Sequence, residues 1–415
     1  MTSTLLFSIV IGLIFAKTAI TVILDLLNMK SVLANRHAIP SAYKSMIDEE
    51  TYAKSVAYTL DKIKFSIVET LYSSVVLLAV LYFELFPKVF YLVESLTGTN
   101  VFAQSLAIII TFIVFSIFSE PFEYYNQFKL EEKHGFNKST LKLWISDKVK
   151  GLILSLILGV PLLSLILYFF SSFENTWWIY CFGAIVAFQL LMLMIYPKLI
   201  LPMFNKLEPL KDGSLKDRIF ALAKKCKFGA KEIQVMDGSK RSSHSNAFFT
   251  GFGKYKRVIF YDTILEQLNE DEIEGVLAHE IGHFKKKHIW AMMAMSFASM
   301  FLAFYLMSLL AQWDLFYTTF GFKPDASFAP VLILFSVFSG LLTFWFSPIF
   351  TYSSRRNEYQ ADSYSKEVCG TAKGLISALH KLHTKNLGNL TPHKIYSAFY
   401  YSHPTLLERE NNLKD

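Results

Sequence analysis

VLAHEIGHFKKKH, residues 276–288, is the stretch on which the reading of this 415-residue chain turns. It contains His279-Glu280-x-x-His283. Side chains four residues apart on an α-helix stand one turn apart on one face, so both imidazoles can reach one Zn²⁺ while Glu280 projects beside them. The flanking sequence predicts that helix. Asn269 with Glu272 three residues on has the pattern of a capping box, and Glu270 and Asp271 place negative charge in the first turn. Ile273, Val276, Leu277 and Ile281 recur at helical spacing, and Lys285, Lys286 and Lys287 fall near the C-terminal end. The motif therefore sits mid-helix with metallopeptidase spacing and needs a third ligand. The helix is expected to run straight into the apolar stretch that follows.

That stretch is one of seven. The chain is 53% hydrophobic, 16% aromatic and only 18% charged, with a mean hydropathy of +0.35, which excludes an ordinary soluble protein. Crossing a bilayer takes about 20 mostly apolar residues. Residues 5–27, 65–87, 101–120, 149–172, 177–199, 289–311 and 328–350 qualify as spans. The N-terminal stretch lacks a small-x-small cleavage site and reads as a retained span rather than a signal peptide. Lys17, Glu69, Glu84 and Glu120 fall inside these stretches, where they either face a watery interior or sit at the ends.

Lysine and arginine fix the expected orientation. Loops one and three are rich in lysine, whereas loop two offers Lys88 alone, loop four none and loop six only Lys323. The odd loops and the C-terminus should face the cytoplasm and the N-terminus the outside. Such loops also explain the net charge of +7, and no nucleic-acid-binding signature accompanies it. Cys181, Cys226 and Cys369 are widely separated and read as free thiols. No internal repeat is visible, which weakens a transporter reading.

The sequence divides into spans one to five with their loops (1–199), a hydrophilic segment with the H-E-x-x-H helix (200–288), spans six and seven (289–350) and a C-terminal segment (351–415). In the second, Asp217–Lys225 reads as an amphipathic helix and Ile233–Met236 as a strand. Asn246–Phe249 and Arg257–Tyr261 read as two more strands joined by a turn at Gly251–Gly253. The expected fold is mainly α: a polytopic membrane protein with seven transmembrane helices and a cytoplasm-facing zinc metallopeptidase domain holding a small β element. Beyond span seven, Glu358 is the candidate third ligand, and Asp362, one turn on, is placed to hydrogen-bond a ligand histidine. The alternative for both is a solvated helix face.

The chain resembles the type I CAAX prenyl endopeptidases, zinc proteases that cleave at the C-terminal C-a-a-X sequences of prenylated proteins. The resemblance runs nearly end to end. It rests on Gly135-Phe136-Asn137-Lys138, the YPKLILPMFNKLEP stretch from Tyr196 to Pro209, Ser245-Asn246-Ala247-Phe248-Phe249 and VLAHEIGHFKKKH. Arg355-Arg356-Asn357-Glu358-Tyr359-Gln360-Ala361-Asp362 and Ser402-His403-Pro404 through Arg409 complete it. It implies one Zn²⁺ per chain on His279, His283 and Glu358, with Glu280 as general base. It further implies Asn246 and His403 in contact with substrate or the developing oxyanion, Arg409 supporting that end, and seven helices around a water-filled chamber. The implied partners are the lipid bilayer and a peptide or protein substrate, in the family one with a prenylated, membrane-associated C-terminus.

Rival readings share parts of this pattern. A membrane quality-control metalloprotease would use the same chemistry on unprenylated substrates. A site-2-type protease would place the motif inside a span, and a transporter would carry it incidentally. The outward loops and the C-terminal NNLKD, without a retrieval signal, read as those of a bacterial inner-membrane protein, with an ER-type membrane as the eukaryotic alternative.

Overall fold

The computed structural model describes residues 1–250, 256–324 and 327–414. The first half is helical throughout: α1 (Ser3–Asn35), α2 (Glu49–Tyr82), α3 (Leu85–Thr97), α4 (Val101–Ser116) and α5 (Glu120–Tyr125), which continues as a π-turn at Asn126–Glu131. Then come α6 (Leu141–Ser172) and α7 (Trp177–Ile195), which passes through a second π-turn into α8 (Leu201–Phe204). The hydrophilic segment contains β1 (Leu207–Pro209), α9 (Ser214–Lys225), β2 (Ala230–Met236), β3 (Ala247–Thr250), β4 (Lys256–Tyr261), α10 (Asp262–Gln267) and α11 (Glu270–Lys285). The remainder is α12 (His288–Ala311), α13 (Asp314–Thr318), α14 (Ala329–Thr343), α15 (Ser347–Cys369), α16 (Lys373–Lys385), α17 (Lys394–Tyr400) and α18 (Leu406–Lys414).

Six of these helical runs are long and apolar enough to cross a membrane: α1, α2, α6, α7 with α8, α12, and α14 with α15. A seventh results if α4 and α5, bent by 51° at residues 117–119, count as one span. In the bilayer core no water can satisfy backbone groups, so the chain closes its hydrogen bonds within each helix. The stretch 65–87 is not a single helix. α2 starts far earlier, at Glu49, and stops at Tyr82; Glu84 then takes a positive φ of 51° and starts α3 in a new direction.

The spans pack as a ring. α1 touches α2, α2 touches α3, α3 touches α4, and contacts continue from α4 to α6, α7, α12 and α14, which returns to α1. One end of the ring is filled by an apolar core that includes Phe90, Ile108, Phe304, Phe320, Phe328 and Ile333. Phe304 lies 16 residues along α12, roughly 24 Å from the end that adjoins α11. Elsewhere the spans bury little. In their most apolar windows only 6–17% of residues are buried, against 50% in α14 with α15.

Ionisable groups in the spans follow this layout. Lys17 Nζ donates to the Gly340 carbonyl (3.2 Å) near the end of α14, where a 3-10 turn replaces α-helical bonding. Asp25 is buried and accepts from Ser66 (2.9 Å). Glu120 and Glu84 fall at helix starts, and Glu120 pairs with Lys148 (2.9 Å).

The hydrophilic segment carries a four-stranded sheet in the order β1-β2-β4-β3, with β2 and β4 parallel and the outer pairs antiparallel. The two expected strands pair, Ala247 facing Phe260 and Phe249 facing Val258. The expected Gly251–Gly253 turn lies outside the described residues. β3 is an edge strand. Helices α9, α11 and α16 pack with the sheet around Ile219, Ile233, Phe260, Ile273 and Ala378.

α11 does not continue into the span. It ends at Lys285, and Lys287 takes a positive φ of 61° before α12 begins at His288. Three successive lysines are poor candidates for a buried helix interior, and the break keeps them at the surface.

Candidate metal centre

α11 starts as its sequence predicts. Asn269 Oδ1 accepts from the Glu272 amide (3.0 Å), and Glu272 Oε2 accepts from the Asn269 amide (2.8 Å). Glu272 also accepts from Ser377 (2.6 Å) and pairs with Lys381 (2.8 Å), both on α16. α11 thus begins pinned to the C-terminal segment.

Small residues let the neighbouring helices come close. A Cβ on Gly282 would stand 3.0 Å from Ala361 Cα and 3.1 Å from its carbonyl oxygen, so α15 rests almost on the α11 backbone. At Gly275 a Cβ would meet the Leu375 amide nitrogen of α16 at 2.7 Å. This proximity brings Glu358 of α15 to the histidine face of α11.

His279 Nε2 and His283 Nε2 are 3.2 Å apart. Glu358 Oε1 lies 3.1 Å from His283 Nε2, and Oε2 lies 3.4 Å from His279 Nε2. One ligand atom from each of the three residues falls within 4.8 Å of the others. Glu358 Oε2 is buried and accepts no hydrogen bond among the described residues, an arrangement that is costly unless something else completes it. Two imidazole nitrogens and a carboxylate converging on one point suit a divalent cation of zinc type.

The outer atoms of the imidazoles fix which nitrogen is free. His279 Nδ1 donates to Asp362 Oδ1 (2.8 Å), and Asp362 is fully buried. Arg409 grips Asp362 with both arms, Nη2 to Oδ1 at 2.6 Å and Nε to Oδ2 at 2.9 Å. His283 Nδ1 meets His288 Nδ1 at 3.0 Å, and His288 Nε2 meets Gln360 Oε1 at 3.0 Å. Because an amide oxygen only accepts, His288 carries its proton on Nε2 and accepts at Nδ1 from His283. Both motif histidines therefore present a bare Nε2 to the centre.

Glu280 is half-buried beside them. Burial raises its carboxyl above the ordinary range, with His279 and His283 opposing. His403 Nε2 lies 3.5 Å from Glu358 Oε1, while its side chain is 62% exposed and its Nδ1 pairs with Ser402 Oγ (2.9 Å). Asn246 is exposed where the chain enters β3. Its Oδ1 accepts from the Ala247 amide (2.8 Å) and its carbonyl from the Tyr261 amide (3.0 Å).

The structure therefore gathers His279, His283, Glu358, Asp362, Arg409 and His403 in one place, with Glu280 next to them. Asn246 stands at the sheet edge and makes no hydrogen bond to that group among the described residues. Sequence reasoning assigned nothing to His288 and Gln360. On an unbroken helix, five residues rotate a side chain by about 140°, which would carry His288 away from His283. Only the turn at Lys287 brings it back.

Comparison with known proteins agrees with this geometry. Residues 28–206 match a family described as CAAX prenyl protease N-terminal, five membrane helices, and residues 209–415 match peptidase family M48. CAAX prenyl protease 1 of Saccharomyces cerevisiae is 39% identical, the match covering 89% of this chain and 87% of that protein. The human CAAX prenyl protease 1 homolog is 34% identical over 91% of this chain and 88% of its own. A crystal structure of Ste24p from S. mikatae superposes with a TM-score of 0.91 at 37% identity, covering 98% of each chain. Shared along their length, from the membrane helices through the peptidase segment, these likenesses mean that the chain belongs to peptidase family M48, as a multi-pass membrane metalloendopeptidase of the CAAX prenyl protease type.

Proposed function

We propose that this chain binds one Zn²⁺ through His279, His283 and Glu358 and hydrolyses a peptide bond near the membrane-associated C-terminus of a CAAX-type substrate. The observation that carries the reading is the convergence of two bare imidazole nitrogens on a buried carboxylate whose Oε2 accepts no hydrogen bond among the described residues. When bound, zinc supplies Lewis acidity, lowering the pKa of water and polarising a carbonyl.

The chain's own residues do the rest. Glu280 accepts a proton from the attacking water as its hydroxyl adds to the scissile carbonyl carbon, and delivers that proton to the amine nitrogen as the C–N bond then breaks. His403 donates to the oxyanion, Asp362 holds the His279 ring, and Arg409 holds Asp362. Asn246 orients an extended substrate along β3, whose outer edge has no strand partner among the described residues.

The distribution of lysine and arginine supports a metal centre on the cytoplasmic side, with the N-terminus outside. We read that membrane as the inner membrane in a bacterial cell and an ER-type membrane in a eukaryotic one. The closed ring of spans, filled at one end and bordered by the peptidase segment at the other, supports an internal chamber.

Mass spectrometry of products from matched farnesylated and unprenylated peptides tests the reading. Cleavage should favour the farnesylated peptide and vanish with a chelator. Glu280→Gln should keep zinc and lose nearly all turnover; substantial residual turnover would remove Glu280 as the base. Equal cleavage of both peptides would overturn the CAAX substrate in favour of a broader membrane peptidase.

A further inference from the structure

A cleft of about 440 Å³ lies between α2 and α5 with its π-turn, remote from the metal ligands in the sequence. Its character changes along its length. On α2, Lys64 starts a stripe that continues at helical spacing through Val68, Leu71 and Val75, which are 58%, 48% and 64% exposed. Ionisable groups in a span face protein or water, and Lys62 and Glu69, seven residues apart, lie on the side of α2 opposite this stripe, which leaves Val68, Leu71 and Val75 to the lipid. The neighbouring faces of the same helix meet protein: Tyr58 and Lys62 bond Glu131, and Ser66 bonds Asp25. Lys64 therefore ends a lipid-facing stripe and points away from the ring's interior.

The second wall repeats the gradient. Pro121 and Tyr125, the latter 53% exposed, are followed at four-residue steps by Lys129 and Lys133. Both walls pass from lipid-facing apolar residues to lysines, with the Tyr125 ring stacked on Phe65 between them (5.8 Å, 5°). That is the order in which a bilayer changes from acyl chain to headgroup.

The charges do not cancel. Of the cleft's three lysines Lys133 is paired, with Asp61 at 2.6 Å, and Asp61 also contacts His134 (2.9 Å). Lys64 and Lys129 form no ion pair among the described residues. A carboxylate already engaged twice leaves two lysines facing one opening.

We propose that this cleft binds an anionic phospholipid, the phosphate between Lys64 and Lys129 and an acyl chain against Val68 and Phe122. An acidic protein segment would match the lysines but not the lipid-facing stripe that leads into them. The site lies on the same stretch of α2 and π-turn as Glu131, which reaches His244 (3.5 Å), two residues before Asn246. A bound headgroup would therefore brace the elements on which the substrate edge rests.

Native mass spectrometry of the purified full-length protein titrated with dioleoylphosphatidylglycerol or dioleoylphosphatidylcholine tests the site. The anionic lipid should be retained preferentially. Lys64→Gln with Lys129→Gln should weaken its binding roughly tenfold or more. Val68→Trp, which fills the cleft and leaves both lysines, should weaken it as well. Lys30→Gln with Lys44→Gln, elsewhere on the chain, should not. Equal retention of the two lipids, unaltered binding by either cleft variant, or an equal loss in the Lys30 and Lys44 control would overturn the proposal. Displacement of the lipid by inorganic phosphate alone would also overturn it, by making the site one for a soluble anion.

Discussion

His283 and His288 join through their Nδ1 atoms at 3.0 Å across the break between α11 and α12. His288 is therefore a positioning residue, since it acts on the centre only through His283. With Gln360 it fixes the tautomer and ring orientation of His283, as Asp362 and Arg409 do for His279. His288→Ala should weaken zinc binding about 10- to 100-fold in a chelator competition, without loss of secondary structure. Zinc affinity equal to that of the unaltered protein would leave the His283–His288 contact without a role.

The approach of α15 to α11 depends on Gly282. A Cβ there would press on Ala361 backbone atoms at 3.0–3.1 Å, which cannot swing aside as a flexible side chain can. Gly282→Ala should cost about 1–3 kcal/mol as overpacking and lower zinc affinity by shifting Glu358. Gly151 in α6 has open space around it, so Gly151→Ala should be neutral or slightly stabilising, as expected for added helix propensity. Thermal unfolding of both variants, with zinc affinity measured beside it, separates helix spacing from a general effect of the methyl group.

His403 combines exposure with nearness to the centre, its Nε2 3.5 Å from Glu358 Oε1. A side chain that held the fold together would be buried, whereas one serving a substrate needs access. His403→Ala should retain zinc and thermal stability and lower kcat by about 10²-fold, the usual effect of removing an oxyanion donor. Unchanged kcat would remove His403 from the mechanism.

Local signals carried much of this into the sequence. The α11 cap, the i, i+4 histidines and the apolar spans are short-range patterns, and the structure repeats them. Glu358 lies 75 residues beyond His283 in sequence, and spacing alone makes it a candidate ligand without separating that reading from a solvated helix face. Its approach to the two histidines depends on Gly282 facing Ala361, a contact with no linear pattern. His288 was illegible for a related reason, because its direction is set by the positive φ of Lys287. The hydropathy of α2 is legible in the sequence, yet which of its faces meets protein follows only from contacts such as Ser66 with Asp25 and Tyr58 with Glu131.

Glu272 gives the peptidase segment a pH dependence whose sign follows from its partners. Burial alone would raise its carboxyl. The bonds from Lys381, Ser377 and the Asn269 amide outweigh burial and hold the group below the ordinary carboxylate range. A depressed folded-state pKa contributes stability that is complete above the unfolded value, about 4.3, and is lost as pH falls from there through the folded value. Two contacts weaken together on protonation: the α11 cap and the tie from α11 to α16. Glu272→Gln should lower stability by about 1–2 kcal/mol near neutral pH, the scale of a lost cap or charged hydrogen bond. It should also flatten the fall in Tm between pH 5 and pH 3, because the variant has no proton to gain at that position. Parallel Tm curves for the two proteins across that window would show that the acid sensitivity of this segment arises elsewhere.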